Sequence, residues 1–128
     1  MDQKQIEKNN ELIALFMGNE VTGPGIPMGI WFKDRQDFIQ FSDLKYHSDW
    51  NWLMEVVEKI ESIKDPHHGY FGVYISSNSC TIQGTRFRSD KIEEPPVYFN
   101  DTILSSKIER TYIAAVMFIK WYNENKKE

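Results

Sequence analysis

The sequence predicts an α+β fold: a small antiparallel sheet with about three helices packed against it, in one domain over residues 1–128. Three observations lead there. Two stretches carry apolar residues at helical spacing, and a third is apolar around nearly its whole circumference. The strand-like segments come in hairpins instead of alternating singly with helices, which favours antiparallel pairing. With 14% aromatic and 27% charged residues, a chain of 128 residues suits one globular core that buries roughly two-thirds of its unfolded surface.

The elements follow in order. Ile6, Ile13, Phe16 and Met17 share a helical face with Leu12 at its edge, so residues 4–17 read as an amphipathic helix closed by Gly18. Asn9 and Asn10 weaken it by propensity. Gly18 to Gly29 holds four Gly and two Pro and reads as a loop without regular structure, with Ile26 and Met28 as its apolar points. Ile30-Trp31-Phe32 and Phe38-Ile39-Gln40-Phe41 read as strands joined by a polar turn.

Ser48 as N-cap, Asp49 in the first turn and a stripe of Trp50, Leu53, Val56, Val57 and Ile60 define a second helix to about Lys64. Asp65-Pro66-His67-His68-Gly69 stops it and turns the chain. Phe71, Val73 and Ile75 alternate with Tyr70, Gly72 and Tyr74, and Ser76-Ser77-Asn78-Ser79 leads into Cys80 to Phe87, the clearest hairpin, with Gly84 as a bulge position. After the polar stretch from Ser89 to Pro96, Val97-Tyr98-Phe99 reads as a short strand. The final helix runs from about Ser105 to Asn125. Ile108, Tyr112, Ala115, Val116, Ile119 and Tyr122 lie on one side of it and Ile113, Ala114, Met117 and Trp121 on the other, so it needs cover on two sides.

The net charge is -4, with 7 basic and 11 acidic residues in positions 1–64 and 8 of each in positions 65–128. That balance disfavours general phosphate binding, which depends on Lys and Arg neutralising the backbone. Cys80 is the single cysteine, which excludes an intramolecular disulfide and points to a reducing compartment. The polar start, Met1 to Glu11, is unlike a signal peptide, and no stretch approaches roughly 20 uninterrupted apolar residues, so a cytoplasmic protein without membrane association is expected.

Each candidate for chemistry has a plain structural alternative. Cys80 with His47, His67 or His68 has the parts of an activated thiol, but a small thiol at the start of a strand is more often core. Asp65, His67 and His68 cluster like metal ligands, although adjacent histidines in a turn rarely point at one ion. Glu55, Glu58 and Glu61 lack the Glu-x-x-His partners of a di-metal bundle, and Asp34 with Asp37 lacks a catalytic partner. The glycine-rich loop matches no nucleotide-binding pattern. Arg86-Phe87-Arg88 and Lys91 interleave cations with an aromatic, as strands that hold single-stranded nucleic acid do; a charged strand edge explains them equally. Trp50 reads as core and Trp52, at the edge of the stripe, as a partly exposed contact.

The stretch Leu44 to Met54 continuing through Glu61, together with Lys107-Ile108-Glu109, Tyr112 and Phe118 to Asn123, resembles short uncharacterised proteins of phage and mobile-element gene sets of gut bacteria. The likeness covers the second and third helices, with Asn9 to Gly18 as a further block, about a third of the chain. No activity, cofactor or catalytic residue comes with that group; what the resemblance implies is an accessory protein acting through another macromolecule.

The reading is therefore a non-catalytic accessory or protein-interaction module, with no catalytic, cofactor or metal residue assigned. Trp52, Ile113, Met117 and Trp121 are its candidate interface, and a second copy of the chain is one candidate partner. The alternative is a single-stranded nucleic-acid binder acting through Arg86, Phe87, Arg88 and Lys91, and a small thiol- or metal-dependent enzyme stands third.

Overall fold

Helix α1 spans Gln3–Phe16 and begins where Asp2, in extended backbone, accepts the Gln5 N–H at 2.8 Å. It ends where Gly18 turns left-handed at φ 93° and the Asn19 N–H returns to the Ala14 carbonyl. The structure, a computed structural model, describes residues 2–21, 29–32, 36–65, 69–77, 79–84, 98–99 and 106–125.

Directly after α1 the chain pairs where the glycine count predicts loop. Strand β1 (Glu20–Val21) lies antiparallel to β2 (Gly29–Phe32), which pairs with β3 (Asp37–Gln40), in the order β1-β2-β3. The glycine that matters is Gly29, where an added Cβ would lie 2.5 Å from the Ile39 carbonyl oxygen and 2.7 Å from the Phe38 ring. Phe41 leaves the ladder and opens a 3₁₀ turn, Phe41–Asp43.

Helix α2 spans Trp50–Ser62, and its N-cap is Asp49 instead of Ser48. The Ser48 and Asp49 N–H groups both turn back to the Lys45 carbonyl, so Asp49 is the residue left in extended backbone, and its carboxylate accepts from the Asn51 N–H at 2.8 Å. Leu53, Val56, Val57 and Ile60 are buried as the stripe predicts. The helix stops short of Lys64 because Ile63 becomes extended and Lys64–Asp65 forms β4.

A second antiparallel sheet runs β4-β5-β6-β7, with β5 Gly69–Ile75, β6 Cys80–Gly84 and β7 Tyr98–Phe99. The described strands thus form two small antiparallel sheets with the three helices packed around them, the α+β class the sequence predicts. The hairpin keeps an unbroken register, Phe71 opposite Gly84, Val73 opposite Ile82 and Ile75 opposite Cys80, so Gly84 sits in the ladder and not in a bulge. Ser76 N–H donates to the Ser79 carbonyl across the turn at 2.9 Å, so even-numbered residues of β5 aim their backbone at β6 and odd-numbered ones aim away. On that outer side β4 has run out beside Val73, and the Glu61 carboxylate of α2 accepts the Val73 N–H at 3.4 Å, blunting the sheet edge.

Helix α3 (Lys107–Asn125) packs on β6, β7, α1 and α2. Tyr112, Ala114, Ala115, Val116, Phe118 and Ile119 are all buried, which is what an all-round apolar helix requires. An aromatic chain crosses the core from Phe71 to Phe118 at 4.8 Å, on to Tyr122 at 6.1 Å, and then to Phe16 of α1 at 5.9 Å. Among the described residues no helix is long and apolar enough to cross a membrane.

Candidate functional site

The two asparagines that propensity counts against α1 are both buried, and Asn10 is 0% exposed. Its Nδ2 donates to the Leu44 carbonyl at 3.2 Å and contacts His47 Nδ1 at 3.1 Å, while its Oδ1 accepts the Tyr112 hydroxyl at 2.9 Å. The polarity is fixed. Leu44 O can only accept, so the amide nitrogen must face it, and His47 Nδ1 must then accept as well, which leaves the imidazole proton on Nε2. Burial lowers the His47 pKa and supports that neutral form. Burial also raises the Tyr112 phenol well above its ordinary range, partly offset by a hydrogen bond to the Asn9 side chain. His47 is thus committed to a bond between α1 and the segment ahead of α2, with the Tyr112 ring of α3 6.1 Å away.

Cys80 is 0% exposed on the core side of β6. Burial pushes its thiol pKa up, against a lowering hydrogen bond to Thr111 and the charge of Arg110. A thiol in that state is a poor nucleophile, since the thiolate is the reactive form. Arg110, itself buried, donates through Nη2 to the Ser77 carbonyl and ties α3 to the hairpin turn. Among the described residues no group of three His, Cys, Asp or Glu side chains is placed to hold a metal ion. His67 and His68 lie outside the described residues, as do Arg86, Phe87, Arg88 and Lys91.

The four candidate interface residues are not brought together as one exposed patch. Trp52 packs edge-on to Tyr46 at 5.0 Å and Phe32 at 5.9 Å, whereas Trp50, expected in the core, is 37% exposed. The reason is that β2 and the Leu44–Tyr46 segment cover the Trp52 side of α2. Trp121 rests on Phe118 and Phe71, and Ile113 packs partly buried against the core. Met117 alone of the four is substantially exposed, at 41%.

What the sequence reading missed is the outer face of β5. Phe71, Val73 and Ile75 pair with Gly84, Ile82 and Cys80 toward the core, so Tyr70, Gly72 and Tyr74 share the other face with Thr81 and Gln83. Tyr70 is 51% and Tyr74 53% exposed, the most exposed of the large hydrophobic side chains among the described residues. Tyr74 leans back along its own strand over Gly72, where an added Cβ would lie 2.7 Å from the Tyr74 hydroxyl oxygen and 2.9 Å from its ring. The alternation in the sequence shows two faces but not which is wet, because both carry aromatics. By contrast, an open groove of about 690 Å³ between α1 and the 3₁₀ turn sets Phe41 among Lys4, Glu7, Lys8, Glu11, Gln40 and Ser42, a lining of mixed charge.

Compared with family models, curated proteins and solved structures, the chain matches none.

Proposed function

We propose that the protein is a non-catalytic interaction module that grips a protein partner through the outer face of β5 and β6. The observation that carries this reading is the pair Tyr70 and Tyr74, both more than half exposed on one side of a strand whose other side is core. Tyrosine is suited to the role, since a rigid amphipathic ring supplies contact area at small entropic cost, and such residues recur as interface anchors. Two described groups suited to acid-base or thiol chemistry support the same reading: His47 is spent on Asn10, and Cys80 is sealed with a raised pKa. An accessory role in a phage or mobile element fits a small binding module, and the cytoplasm suits a single reduced thiol.

A second reading has its own observation. Tyrosines on a sheet face also stack nucleic-acid bases, and the sequence runs on from Gly84 of β6 to Arg86, Phe87, Arg88 and Lys91. One experiment separates the two: affinity capture of the tagged protein from its native host, with and without nuclease, beside a Tyr70→Ser/Tyr74→Ser variant. A nuclease-resistant protein lost with the double variant supports the interaction module. Recovery that vanishes with nuclease moves the assignment to single-stranded nucleic acid, and recovery unchanged by the double variant removes the tyrosine face from both.

A further inference from the structure

We propose that His47, Asn10 and Tyr112 form an acid-sensitive latch that holds α1 against the rest of the fold and releases it when His47 is protonated. The argument is one of hydrogen-bond polarity. Asn10 is fully buried, and its two amide protons are directed at the Leu44 carbonyl and at His47 Nδ1. Protonated imidazole carries a proton on Nδ1 and would set donor against donor. The amide cannot answer by flipping, because its oxygen would then face the Leu44 carbonyl at 3.2 Å, acceptor against acceptor, and Oδ1 would no longer accept the Tyr112 hydroxyl. A mismatch of this kind strands buried polar groups, which is costly.

The groups facing His47 allow no electrostatic escape. From α3 it meets Tyr112, which burial keeps protonated and neutral, and from α1 it meets Asn10, which does not titrate. Burial is the cause of the His47 shift, with no charged neighbour contributing. The closed form therefore binds fewer protons than the open one. Closure is at full strength above the ordinary imidazole value of 6.5 and weakens as pH falls below it, until the depressed native pKa is passed. In that window the ratio of open to closed α1 rises as pH falls, by at most tenfold per pH unit, because one proton is taken up on opening.

The latch also specifies how far the effect reaches. Ile13 and Ala14 keep α1 in the core on their own account, so release is local and the β5–β6 hairpin stays folded. The test is amide hydrogen exchange by NMR from pH 7.5 to pH 5, divided by intrinsic rates, on the wild type and on His47→Asn. The asparagine places an acceptor oxygen where Nδ1 stood but does not titrate. The latch predicts an Nε2–H tautomer at pH 7.5 and opening of the Ile6–Asn10 amides that grows as pH falls below about 6.5, by at most tenfold per unit. It also predicts unaltered β5–β6 amides and a flat profile in His47→Asn. An Nδ1–H tautomer, the same slope in His47→Asn, or hairpin amides opening in step with α1 would each overturn it.

Discussion

Replacing Asn10 by leucine separates the polar node from generic helix energetics, because the two make predictions of opposite sign. Propensity favours leucine over asparagine inside a helix by roughly 0.5 kcal/mol, and burying an aliphatic side chain at a fully enclosed position adds to that. On those grounds alone the variant is more stable. The structure says otherwise. Asn10 serves three partners, and leucine serves none of them. The Tyr112 hydroxyl keeps a fallback, the Ile6 carbonyl at 3.2 Å, and His47 is exposed enough to recruit water, but the Leu44 carbonyl loses the amide donor. A buried group left without its partner costs about 1–3 kcal/mol, and leucine must also fit an amide-shaped space in a close-packed core at about 1–3 kcal/mol. Taking the middle of each range, about 4 kcal/mol of cost less about 2 kcal/mol of leucine gains leaves an expected loss of roughly 2 kcal/mol. With a urea m-value of about 1–3 kcal/mol/M, the midpoint of a tryptophan-fluorescence melt falls by roughly 0.7–2 M at unchanged m. A midpoint that rises would refute the polar-node account of α1.

The other predictions follow from single features. Gly72→Ala places a methyl where the Tyr74 ring lies; since that ring is free to swing into solvent, stability stays within about 0.5 kcal/mol in a chemical melt while partner affinity drops about tenfold in a titration. Gly29→Ala meets the Ile39 carbonyl at 2.5 Å, which is backbone and cannot swing away, so the same assay gives a loss of about 1–3 kcal/mol. Cys80 alkylates at least ~100-fold more slowly in the native protein than in denaturant, and its native pH profile is displaced upward; fast native labelling would contradict its burial. Met117→Glu leaves solution mass and stability unchanged, whereas Trp121→Glu destabilises by about 3 kcal/mol because the ring rests on Phe71 and Phe118. A change of mass with Met117→Glu would instead make α3 a self-interface.

The legible parts of this fold were those fixed by periodicity within one element. The stripe of Leu53, Val56, Val57 and Ile60, the alternation of Phe71, Val73 and Ile75, and the apolar circumference of α3 each state their own burial. The illegible parts depend on what another element brings. Trp50 belongs to that stripe by spacing and Trp52 lies at its edge, and their expected exposures are reversed because Phe32 and Tyr46 come to the Trp52 side. Asn10 counts against its helix until the Leu44 carbonyl and Tyr112, from distant parts of the chain, arrive to meet it. The tyrosine face is hidden for a similar reason, since Tyr70 and Tyr74 look as apolar as the core side, and only the sites of α2 and α3 packing tell the two sides apart.

The most direct test of the interaction surface is site-specific photocrosslinking in the native host, with a photoreactive phenylalanine analogue placed in turn at Tyr74, at Met117 and at Leu15 of α1. All three positions are exposed, so labelling reports location and not accessibility. The account predicts one discrete protein adduct from position 74 and none from the other two. Adducts from Met117 or Leu15 with none from position 74 would contradict it.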